Sequence, residues 1–94
     1  MIPGKVGRLS ESTVVAAATI KAETDVVVAT GAVGINTITP TGLNQSQLLF
    51  LITPVAVIIG TSGNILVGLT TTANRATVLL WSKSLQKWSI VSGL

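Results

Sequence analysis

What is missing from this 94-residue chain narrows its chemistry before any motif is read. It has no cysteine, so neither a disulfide framework nor thiolate chemistry is open to it. It has no histidine, which removes the commonest metal ligand and the usual general base. Charge is scarce: Asp, Glu, Lys and Arg make up 10% of the residues, against roughly 25% in an average soluble domain. Across residues 26–74, just over half of the chain, there is no charged residue at all. Every charge lies in the flanks, on Lys5, Arg8, Glu11, Lys21, Glu23 and Asp25 and then on Arg75, Lys83 and Lys87. An uncharged middle of that length is expected to be covered by lipid or by more protein.

Lipid is the weaker of the two readings. The most apolar stretch, residues 48–59, falls well short of the ~20 residues a membrane helix needs. Pro54 interrupts it, and Gly60-Thr61-Ser62-Gly63-Asn64 ends it with turn chemistry. The opening Met1-Ile2-Pro3-Gly4-Lys5-Val6-Gly7-Arg8 has no apolar run after its basic residues. It does not read as a signal peptide, and the chain is expected to be made in the cytoplasm and left unprocessed. No membrane partner is expected. Coverage by protein points to an obligate oligomer, because a lone domain of this size and 48% apolar content would leave too large an apolar patch in water.

What is present is a β-forming composition. Threonine occurs 13 times, valine and isoleucine are frequent, and nine glycines punctuate the chain. Strands are expected over 13–22, 25–30, 34–39, 48–53, 55–59, 65–69, 76–82 and 87–91. Turns fall at 31–33, 41–47, 60–64, 70–74 and 83–86. Within this scheme 55–59 and 65–69 form a hairpin around the 60–64 turn. Trp81 and Trp88 face each other across the last one. Pro54 holds Thr53 extended. A helix beginning near Val14, capped from the 10–13 stretch, is the alternative for the first segment. No segment keeps helical apolar spacing over three turns. The spacing predicts an all-β fold, a small sandwich or barrel of about eight short antiparallel strands. Residues 1–12 read as an extended N-terminal arm and residues 13–94 as a single β domain.

No catalytic constellation emerges. Glu23 and Asp25 alternate on an extended segment, but no nucleophile or metal partner accompanies them, and they read as a solvated strand end. Gly31-Ala32-Val33-Gly34 and Gly60-Thr61-Ser62-Gly63 lack the Lys-Ser/Thr ending of a phosphate loop. Ser82 and Ser84 sit beside Lys83 and Lys87 on one turn, the wrong geometry for a Ser–Lys dyad. No catalytic, cofactor or metal residues, no small-molecule substrate and no enzymatic activity are therefore expected. A small nucleic-acid-binding β-barrel is a further alternative, with Trp81 and Trp88 as stacking platforms. The basic residues around them are few, so nucleic acid is not the expected partner.

The pattern over roughly residues 24–94 resembles small β domains of tailed-bacteriophage virion proteins. It has alternating Ile35 and Ile38 before Pro40, then an apolar strand at 48–52 and a Gly63-Asn64-Ile65 turn. A threonine-rich loop at 70–74 and a terminal hairpin opening on Lys87-Trp88 complete it. The resemblance implies a homotrimer, most like a capsid decoration (cement) protein. Such a protein binds the major capsid protein on the outer surface of the phage head and stabilises the mature state. A head-fibre, tail-fibre or tail adaptor module is the alternative role. Under this reading Ile2, Pro3, Lys5, Val6, Arg8 and Leu9 are the candidate capsid-binding residues. Phe50, Ile52, Val57, Ile59, Trp81 and Trp88 are the candidate oligomer or core contacts.

Overall fold

Runs of β-branched and apolar residues, cut by glycine, proline and asparagine, decide where this chain extends. The computed structural model describes residues 10–42 and 44–92. They form nine strands and no helix: β1 Glu11–Val15, β2 Thr19–Lys21, β3 Val26–Thr30, β4 Thr37–Thr39, β5 Gln47–Thr53, β6 Ile58–Ile59, β7 Leu69–Thr70, β8 Arg75–Ser82 and β9 Lys87–Ser92. The all-β class is as the composition predicts. The segment near Val14 is a strand, not a helix. Glu11 and Ser12, expected in the arm, belong to β1; residues 1–9 lie outside the described residues.

The strands form a five-stranded sheet in the order β1-β3-β5-β8-β9 and two small pairs, β2-β4 and β6-β7. The sheets are mixed and do not close into a barrel, which corrects the antiparallel expectation. β1, β3 and β5 run parallel, as do β2 and β4, and only β5-β8, β8-β9 and β6-β7 are antiparallel. The physical reason is the path of the chain. After each strand of the large sheet it crosses to a second layer before returning: β1 to β2, β3 to β4, β5 to β6. Returning strands then run alongside their predecessors in the same direction, like the rungs of a short β-solenoid. A parallel bridge between Ile35 and Ile59 continues the stacking in the second layer. β8 and β9 close the large sheet as the expected hairpin. The hairpin proposed for 55–59 and 65–69 is displaced: β6 pairs with β7, and Ile65 bridges to Trp88.

The core lies between the layers. Val27, Leu49, Leu51, Leu79, Trp81 and Trp88 face inward from the large sheet, and Ile20, Ile35, Ile38, Ile59 and Ile65 close over them. Two polar devices hold the layers together. The first is Asn64, whose Oδ1 accepts from Ile38 N at 2.9 Å while its Nδ2 donates to Ile38 O at 2.7 Å. The side-chain amide thus takes the place of a strand beside β4. Trp88 donates its Nε1–H to the same carbonyl at 2.8 Å, and Trp88 N donates to Asn64 O at 2.8 Å. Gly63 makes this approach possible, because a Cβ there would collide with Asn36 O and the Thr37 hydroxyl. The second device is the buried hydroxyl pair of Thr53 and Thr71, 2.7 Å apart, where Thr71 Oγ1 also accepts from Val57 N at 2.8 Å.

Asn64→Ala strips Ile38 N of its partner and removes one donor from Ile38 O. It is expected to cost about 2 kcal/mol, a fall of roughly 10 °C in melting temperature for a domain this size, measured by thermal and urea unfolding. Thr71→Val, isosteric but without the oxygen, leaves Val57 N and the Thr53 hydroxyl unpaired in the core. A loss of about 2–3 kcal/mol is expected there in the same assays.

Candidate functional site

Strict alternation along a strand sends successive side chains to opposite faces. In the large sheet the inward face is apolar, as a two-layer fold requires, but the outward face is apolar as well. Pairing register places these outward residues side by side. Glu11 lies next to Val26, Val26 next to Phe50, and Phe50 next to Val78. One step along the strands, Thr13, Val28, Ile52 and Ala76 form a second row. On the other side Leu48 lies next to Leu80 and Leu80 next to Ser89. Val26, Val28, Leu48, Phe50, Ile52, Ala76, Val78 and Leu80 therefore make one continuous apolar block. Leu48 is 48% and Leu80 39% exposed, and the edge residue Val15 is 74% exposed. The charged residues on this face, Glu11 on β1 and Lys87 on β9, sit on opposite edges of the sheet.

The candidate contact residues fall into two groups. Val57, Ile59, Trp81 and Trp88 are buried within the chain and act as core. Phe50 and Ile52 are half-buried and lie on the outward face, away from that core. Their neighbours Leu49 and Leu51 fill the inward positions. The candidate capsid-binding residues Ile2, Pro3, Lys5, Val6, Arg8 and Leu9 lie outside the described residues. Val26, Val28, Leu48, Val78 and Leu80 were not singled out from the sequence. The signal for two of them was present in β8, where apolar side chains occupy the four consecutive positions from Val78 to Trp81.

No cluster of carboxylates among the described residues is arranged to hold a metal ion. Lys21, Glu23, Thr39, Pro40 and Thr41 line one shallow, open depression. Glu23 is exposed, and the Asp25 carboxylate accepts from Ser10 N at 3.2 Å, tying the start of β1 to the turn before β3. No helix among the described residues is long and apolar enough to cross a membrane.

The two tryptophans stand directly opposite in the β8–β9 hairpin, with ring centroids 5.4 Å apart and planes at 60°, an edge-to-face pair. They are 2% and 0% exposed, so neither offers a face on which a base can stack. Their polar atoms differ: Trp88 Nε1 is bonded to Ile38 O, whereas Trp81 Nε1 is buried with no partner among the described residues. Trp88→Phe is therefore expected to cost about 1–3 kcal/mol more than Trp81→Phe. Equal losses in denaturant unfolding would show that the indole bond to Ile38 contributes nothing.

No protein-family model, no curated protein and no solved structure matches this chain.

Proposed function

We propose that this chain is a structural virion protein, a decoration protein that binds the outer surface of a phage capsid as a trimer and stabilises the mature head. The observation that carries the reading is the apolar outward face of the β1-β3-β5-β8-β9 sheet, which in a lone chain meets water. A surface of that kind suits a protein whose role is to be packed against other protein. The uncharged stretch 26–74 supports the same reading, since it supplies β3 and β5, the central strand of that face among them.

The action proposed is mechanical. Residues 1–9 lie against the shell, where Lys5 and Arg8 meet acidic groups of the major capsid protein. A ligand that binds only the mature lattice stabilises it by mass action, and many copies act together.

The head-fibre or tail-fibre reading has one observation in its favour. Parallel stacking leaves β1 as an edge strand with no neighbour among the described residues on its far side. A further rung from a preceding segment can add there.

The test is co-sedimentation with mature heads that lack the protein. The full chain is expected to bind and raise the temperature at which heads release DNA. A chain lacking residues 2–9 is expected to keep its fold and mass but fail to bind. Undiminished binding by the shortened chain would refute the role of the arm, and no binding by the full chain would refute the decoration role.

A further inference from the structure

We draw no further inference here: the strongest candidate, the apolar outward face of the large sheet around Leu48, Phe50 and Leu80, is an unpartnered surface, and nothing in the structure shows what covers it.

Discussion

The carbonyl of Ile38 is the point on which the two layers of this domain depend. β4 is only three residues long and has β2 on one side alone. Its other side would leave Ile38 N and O unpaired beneath the surface, at about 1–3 kcal/mol for each orphaned group. The Asn64 side chain meets both groups, and the indole of Trp88 adds a second donor to the carbonyl. Because Trp88 belongs to the last strand of the large sheet and Asn64 to the segment after β6, three remote stretches are tied at one residue. The close backbone approach of Gly63 to Asn36 belongs to the same closure.

With the second layer secured, the inward face of the large sheet is saturated. The chain nevertheless keeps apolar side chains on the outward face, where an ordinary two-layer domain alternates to polar ones. Phe50 lies between Val26 and Val78 on that face, half-buried and away from the core. The two faces of one sheet thereby differ in role: the inward one holds the core and the outward one leaves apolar side chains beyond it. A substitution on one face leaves the other chemically intact. The parallel winding of β1, β3 and β5 makes this division possible, since it brings uncharged segments distant in sequence into one flat surface.

Local chemistry was legible wherever partners lie close in sequence. The β8–β9 hairpin, the turn at 83–86 and the facing tryptophans follow from a short loop between two β-forming runs. The parallel pairs were not legible, because no turn residue reports a partner reached through a crossing to another layer. The 60–64 segment shows how a local signal misleads. Its glycines and asparagine suit a hairpin turn, but Gly63 is there to let the segment lie on Asn36 and Thr37, and Asn64 turns inward to β4. The apolar run at 48–52 has no alternation, so nothing in it separates inward Leu49 and Leu51 from outward Phe50 and Ile52.

Composition by itself determined the all-β class and the absence of thiol and imidazole chemistry. Those properties are sums over residues and require no knowledge of who touches whom. Only the tertiary structure decided which side of β5 is core, that β1, β3 and β5 run parallel, and that the remaining apolar residues form a single face. Strand register and layer crossing are long-range choices, made between residues as far apart in sequence as Ile38 and Trp88, and no preference carried in a local stretch of chain reports them.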